Sequence, residues 1–278
     1  DLFVPVSTWT PPATLPDWRG ASLLAIDIET KDMGLSADLG PGWAFKNHGH
    51  ILGLSAAVPN ADPIYIPIRH PDTNNFEVDS VVRWLKCMMR TAESVVFHNM
   101  SYDMGWLQSE WEIPYYGPDV AYHDTYAMAV MLDENQNSYS LDACCKRARI
   151  ASKDERMLRE AAIALGCDPK IDMWRMPARY VGPYAEQDAR STLNLAYELL
   201  PEIRDQNLEH AYELEMDLIP LSNAMRRRGM RVDLDRCAVV GQRFDVQCKE
   251  ALAEIKWHLK QRRDITIDDL HSPAWLEM

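Results

Sequence analysis

Asp27 and Glu29 stand one residue apart where an apolar run ends, in Leu23-Leu24-Ala25-Ile26-Asp27-Ile28-Glu29-Thr30. On a strand, alternate side chains share a face, so both carboxylates point one way while Ile26 and Ile28 point the other. Two carboxylates side by side at the end of a buried strand repel each other unless a positive charge lies between them. A hard divalent cation that takes carboxylate oxygens is the usual partner. The spacing alone is unspecific. Glu213-Leu214-Glu215-Met216-Asp217 and Asp233-Leu234-Asp235 share it, and neither is assigned a catalytic role. What matters is whether other segments bring carboxylates to the same place.

Two segments qualify. Phe97-His98-Asn99-Met100-Ser101-Tyr102-Asp103 runs from a strand into a helix with Ser101 as its N-cap. Asp103 then lies in the first turn, where the helix dipole favours an ionised carboxylate. His98 reads as a packed or hydrogen-bonded turn residue. The second segment is Tyr184-Ala185-Glu186-Gln187-Asp188-Ala189, in which Tyr184 and Asp188 are four apart and share a helix face. Pro183 marks the start of that helix. Tyr115 and Asp119 have the same spacing, but Gly117 and Pro118 between them forbid a helix.

The surrounding pattern supplies elements to position these groups. Residues 1–20 hold four prolines and read as an extended lead-in, and the four glycines and one proline of residues 31–49 read as a loop. Residues 51–58 and 64–68 alternate as strands of a meander with the first. Helical spacing covers residues 76–90, a short strand 94–97, and a helix 101–110. A fifth strand follows at 120–124, with helices at 126–132, 140–149, around 154–165, and 184–200, the last closed by Pro201. Three strands and then alternating helix and strand predict an α/β domain with a mixed five-stranded sheet and helices on both sides. The strand before Asp103 would lie beside the first strand, so that the acids meet at one edge.

The composition changes near residue 204, and two long helices follow at 209–228 and 235–263. The domain reading is thus a lead-in at 1–20, an α/β domain at 21–204, and a helical segment at 205–278.

Composition excludes several classes. The longest apolar stretches break within about ten residues, short of the roughly 20 needed to span a membrane. The six cysteines form no Cys-x-x-Cys pair and no small disulfide framework, which suits a reducing, cytoplasmic setting. A net charge of −13 argues against tight nonspecific binding to a nucleic-acid backbone. It does not exclude a nuclease whose acidic site binds metal. The chain opens at Asp1, which suggests a piece of something longer.

Taken in order, the three acidic segments resemble the Exo I, Exo II and Exo III motifs of the DEDD superfamily of 3′–5′ exonucleases. Asp27 and Glu29 match the first, Asn99, Tyr102 and Asp103 the second, Tyr184 and Asp188 the third. The tyrosine four before the last aspartate resembles the DEDDy branch. The other branch carries histidine five before it, where this chain has Pro183. The resemblance covers roughly residues 20 to 200 and implies a ribonuclease H-like fold.

It also implies two Mg²⁺ or Mn²⁺ ions about 3.5–4 Å apart, held by Asp27, Glu29, Asp103 and Asp188. Tyr184 would orient the attacking water, and the product would be a nucleoside 5′-monophosphate. Thr30, Asn99 and Tyr102 are implied as substrate-binding residues and Asp124 as a supporting one; Asp124 reads equally well as a helix cap. Met33, Leu35 and Trp106 flank the motifs and read as core more than as contact. The basic clusters Lys146-Arg147-Arg149 and Arg226-Arg227-Arg228 suit either a DNA backbone or a solvated helix face.

The helical tail, with Arg228-Gly229-Met230-Arg231-Val232-Asp233 and His271-Ser272-Pro273, resembles the junction into the polymerase domain of family A DNA polymerases. The expected partners are a single-stranded or frayed DNA 3′ end and a polymerase domain in cis, with no membrane, in a bacterial or phage-infected cell. An RNase D-like exoribonuclease is the nearest alternative, and a noncatalytic nuclease-like binding module is the alternative of another class.

Overall fold

The computed structural model describes residues 4–45, 48–71, 75–117, 119–150, 154–169, 171–258 and 266. Five strands form one sheet in the order β3-β2-β1-β4-β5 among the described residues. They are β1 (Leu24–Asp32), β2 (Gly49–Ala57), β3 (Ile64–Pro67), β4 (Ser94–Phe97) and β5 (Ala121–Asp124). The first three form the expected antiparallel meander; β4 and β5 join parallel to β1. The mixed five-stranded prediction holds.

The alternation along β1 sorts its residues between two cores. Leu24, Ile26 and Ile28 enter the larger cluster with α2 (Val78–Thr91) and α3 (Met100–Trp111). Leu23 and Ala25 pack instead with Ala189, Leu193 and Ala196 of α7 (Ala178–Asp205). Alanines on both sides of that contact let the helix lie close to the sheet. Asp27 and Glu29 have the parity of Leu23 and Ala25, so they face α7.

Three boundaries differ from the sequence reading. Ser101 is not the cap of α3: Asn99 is, in the left-handed region at φ 70°, and the Ser101 hydroxyl donates to Asn223 Oδ1 at 2.7 Å. Pro183 does not start the third-motif helix, and Pro201 does not end it; α7 runs through both for 28 residues. A proline inside a helix frees the carbonyl four residues before it. For Pro183 that is Arg179, and the Ser7 hydroxyl donates to this carbonyl at 2.7 Å. For Pro201 it is Tyr197, on a half-exposed position where water can serve.

The lead-in is therefore a strap. Its Trp9 ring lies against Gly182, and Trp9 Nε1 donates to Glu186 Oε1 at 2.9 Å. The Tyr180 hydroxyl donates to the Pro5 carbonyl at 3.0 Å. A Cβ at Gly182 would come within 2.3 Å of the indole. Gly182→Ala is expected to displace Trp9 and lower stability by about 1–3 kcal/mol, read by chemical denaturation with Trp fluorescence. A change below 0.5 kcal/mol would mean the strap gives way freely.

The remaining helices are α1 (Met33–Ser36), α4 (Thr125–Leu132), α5 (Leu141–Arg147), α6 (Arg156–Leu165), α8 (Glu209–Arg228) and α9 (Leu234–His258). Contacts divide the chain into two units, Asp1–Arg228 and Gly229–Met278. Helix α8 lies in the first, where Tyr212 packs with Leu195, Leu199 and Ile203. The second unit holds α9, capped by Asp233, whose Oδ1 accepts from Arg236 N–H at 2.9 Å. Residues 259–263 of the expected last helix, and His271-Ser272-Pro273, lie outside the described residues. No helix among the described residues is long and apolar enough to cross a membrane.

Candidate active site

Asp27 and Glu29 reach across from β1 to Asp188 on α7. One carboxylate oxygen from each lies within 4.8 Å of the other two. Asp188 is buried, and Asp27 and Glu29 are half-buried. Tyr184 stands one turn before Asp188 and hydrogen-bonds it. Burial first, then the charges of Asp188, Glu29 and Asp27, push the Tyr184 phenol far above its ordinary range. It is a hydrogen-bond donor here, not a base.

Asp103 approaches from the opposite face of the sheet. It is buried, and its Oδ1 accepts from the Ile28 N–H at 3.1 Å, between Asp27 and Glu29 in the chain. Desolvation, followed by the charge of Asp27, pushes its carboxyl well above the usual range. Asp103 thus stands outside the group formed by Asp27, Glu29 and Asp188, yet near enough to feel the charge of Asp27. Three carboxylate oxygens gathered this closely, from Asp27, Glu29 and Asp188, are hard donors whose repulsion a divalent cation would neutralise, so the donor set fits the implied metal.

The pairing of β1 with β2 is irregular at this point. Glu29 pairs with Gly53 and Thr30 with Ile51, so the register slips by one residue directly after Glu29. Such bulges re-aim side chains. Gly53 leaves room for the Tyr65 ring, whose hydroxyl would meet a Cβ there at 2.2 Å. Tyr65 is fully buried and hydrogen-bonded to His70 Nε2 at 2.6 Å. Ser55, opposite Asp27 in the register, is buried and donates to the Asp27 carbonyl at 3.4 Å. Sequence reading did not single out Ser55, Gly53 or Tyr65. The small residues at 53 and 55, on one face of a strand facing the acids, were the available signal.

The other predicted residues fall into two groups. Thr30 and Tyr102 line a cleft of about 450 Å³ together with Glu29 and Tyr184. Their hydroxyls are 2.7 Å apart, and the Tyr102 hydroxyl donates to Asp32 Oδ2 at 2.9 Å. Asn99 and Asp124 lie at the turn into α3. The Asp124 carboxylate accepts the N–H groups of Asn99, Met100 and Tyr126 at 2.8, 2.9 and 2.9 Å. It caps α4 and pins the turn that carries Asp103. The Asn99 side chain is exposed.

Of the flanking apolar residues, Trp106 is buried as expected. Met33 and Leu35 are not core: they are about half exposed, at 49% and 50%, on the short helix after β1. A helix of four residues is too short to bury every side it presents. In the basic clusters, Lys146 pairs with Asp142 and the Arg147 guanidinium donates to the Ser138 carbonyl, while Arg226, Arg227 and Arg228 are exposed at the end of α8.

The sequence model of the DNA polymerase A 3′–5′ exonuclease family matches residues 18–204, which contain every acid of this site. The chain belongs to this family. A DNA-directed DNA polymerase of Pseudomonas phage M6 is 36% identical over 98% of the chain, and the chain spans 41% of its length. A DNA polymerase DpoZ of Acinetobacter phage SH-Ab 15497 is 27% identical over 77% of the chain, which spans 34% of that protein. Among solved structures, Brucella melitensis NrnC with bound Mg²⁺ superposes with a TM-score of 0.53, at 14% identity, over 79% of this chain and 92% of that one. The POL domain of Pol1 from M. smegmatis, in complex with DNA primer-template and dNTP, gives 0.59 at 15% identity, over 91% and 36%. At those identities the fold is what is shared: the exonuclease unit is ribonuclease H-like.

Proposed function

We propose that this exonuclease domain removes nucleotides from the 3′ end of DNA as the proofreading part of a phage DNA polymerase. The observation that carries this is the gathering of the Asp27, Glu29 and Asp188 oxygens, next to a cleft that Glu29 and Tyr184 line. The phage relatives, whose names call them DNA polymerases, support DNA over RNA as substrate and a polymerase domain in cis. The same relatives support work inside an infected cell.

Asp27, Glu29, Asp103 and Asp188 would hold two divalent ions, Mg²⁺ or Mn²⁺. Bound there, such ions supply a water nucleophile at neutral pH and charge for the departing 3′ oxygen. The chain's own residues do the rest. Tyr184 keeps its proton and orients the attacking water through its hydroxyl. Asp103, tied to the Ile28 N–H, keeps β1 and α3 in register at the reacting phosphate. Thr30 and Tyr102 present linked hydroxyls to the terminal sugar or its phosphate. The product is a nucleoside 5′-monophosphate.

Incubation with a 3′-mismatched DNA primer and Mg²⁺ should release mononucleotides, and EDTA should stop it. A single-stranded RNA of the same sequence should be cut more slowly; faster RNA cleavage would favour the exoribonuclease. Tyr184→Phe should slow turnover about 10²-fold while the Mg²⁺-induced rise in Tm persists. An unchanged rate would remove its assigned role.

A further inference from the structure

We infer that Arg159, on the wall of the cleft, receives the DNA phosphate next to the scissile one, and that Glu155 holds it in place until DNA arrives. This rests on the exonuclease reading above. Among the described residues lining the cleft, Arg159 is the one cation, beside the acids Glu29, Glu155 and Asp168 and three neutral hydroxyl side chains. A bound metal would neutralise the acids at the reacting phosphate. The following phosphate of a single strand still needs a positive partner, and guanidinium presents the forked donor geometry that phosphate oxygens match.

Arg159 is placed by its helix. Leu158, Ala161 and Ala162 of α6 are buried in a core with Tyr65, Met173 and Met176, which fixes the face that α6 turns to the cleft. The guanidinium itself is loosely held. Its Nε and Nη2 both donate to the same Glu155 oxygen, Oε2, at 2.9 and 2.5 Å, one turn earlier on the helix. Its side chain remains 61% exposed. An exposed ion pair of this kind contributes little and is readily exchanged. A phosphate that arrives with two oxygens can replace a carboxylate that uses one. Glu155 thereby becomes a competitor for Arg159, and its removal should strengthen DNA binding.

The test compares Arg159→Ala, Arg159→Lys and Glu155→Gln with the unsubstituted chain on two substrates. One is a single-stranded DNA oligonucleotide; the other is thymidine 5′-(4-nitrophenyl) phosphate, which has no neighbouring phosphate. Arg159→Ala should raise KM for the oligonucleotide about tenfold, leave its kcat within threefold, and leave the ester unaffected. Arg159→Lys should recover part of the loss and Glu155→Gln should lower KM. Arg156→Ala, which removes the same charge from outside the cleft lining, should change neither.

An unchanged oligonucleotide KM in Arg159→Ala would overturn the assignment. So would equal losses on both substrates, which would place the effect at the reacting group or in the fold. Inactivity of the unsubstituted chain on both substrates would instead count against the exonuclease reading. Binding of a 5′-labelled oligonucleotide in Ca²⁺, by fluorescence anisotropy, decides the Arg159 question in that case. A tenfold weaker complex in Arg159→Ala supports it, and equal affinity overturns it.

Discussion

Asp27→Ala should lower 3′-terminal cleavage by about 10³-fold or more, and it should do so without unfolding the domain. On the proposed two-ion reading, the acid cluster would hold the charge that stabilises the reacting phosphate by several kcal/mol, and each 1.36 kcal/mol is about tenfold in rate. The usual objection to an alanine variant is that it fails to fold. Here the electrostatics run the other way. Asp27 helps push the Asp103 carboxyl and the Tyr184 phenol upward, so in EDTA its removal relieves repulsion. The metal-free Tm should stay level or rise.

Added Mg²⁺ should raise the Tm of the unsubstituted chain by mass action and leave that of Asp27→Ala nearly flat. The pH dependence follows the same sign. Asp103 has a folded value above its unfolded one, so its contribution is fully present below the ordinary carboxylate range. That contribution is lost as pH rises through the raised folded value. The metal-free chain should therefore weaken as pH rises out of the acid range, less so in Asp27→Ala, and Mg²⁺ should suppress the trend. Calorimetry across pH with and without EDTA measures it. Cleavage retained within tenfold in Asp27→Ala would place the site elsewhere.

The legible part of this molecule was the part written in local periods. Strand alternation at residues 23–29 puts the acids on one face, and the i, i+4 spacing puts Tyr184 over Asp188, whatever the rest of the chain does. Helix ends were legible only where the capping partner is local. Asp233 caps α9 from three residues away. The carbonyl freed by Pro183 is answered by Ser7, 172 residues away, so no window of sequence around Pro183 could show that the helix continues. The same holds for α8. Tyr212 and Asn223 look like ordinary polar positions on an amphipathic helix, yet both are buried at the site's own turns. The Tyr212 hydroxyl accepts the Asp124 N–H at 3.0 Å, and Asn223 Nδ2 donates to the Ser101 carbonyl at 2.9 Å. A composition change near residue 204 marks the end of the family match. It does not mark the end of the packed unit.

The Tyr212 contact reaches Asp124, for which the second large effect is expected. Asp124→Ala should destabilise the chain by roughly 3–5 kcal/mol, because it strips acceptors from three backbone N–H groups at once. The Met100 N–H loses its partner where water is scarce, since Met100 is fully buried. Burial raises the Asp124 carboxyl and its backbone N–H donors pull it back, so the group is costly to keep and costlier to lose. Both oxygens are committed to the backbone, which leaves Asp124 as a positioning residue beside the acid cluster. Asp124→Asn separates the two oxygens. Its carbonyl can replace Oδ1, which serves Asn99 and Tyr126, but its amide would face the Met100 N–H that Oδ2 now accepts. The asparagine variant should therefore lose about half as much stability as alanine. At temperatures where both remain folded, each should slow cleavage by loosening the first turn of α3 and, with it, Asp103. Urea denaturation beside single-turnover rates separates the two losses. A stability change under 1 kcal/mol in Asp124→Ala would show that the turn into α3 is held by α8 alone.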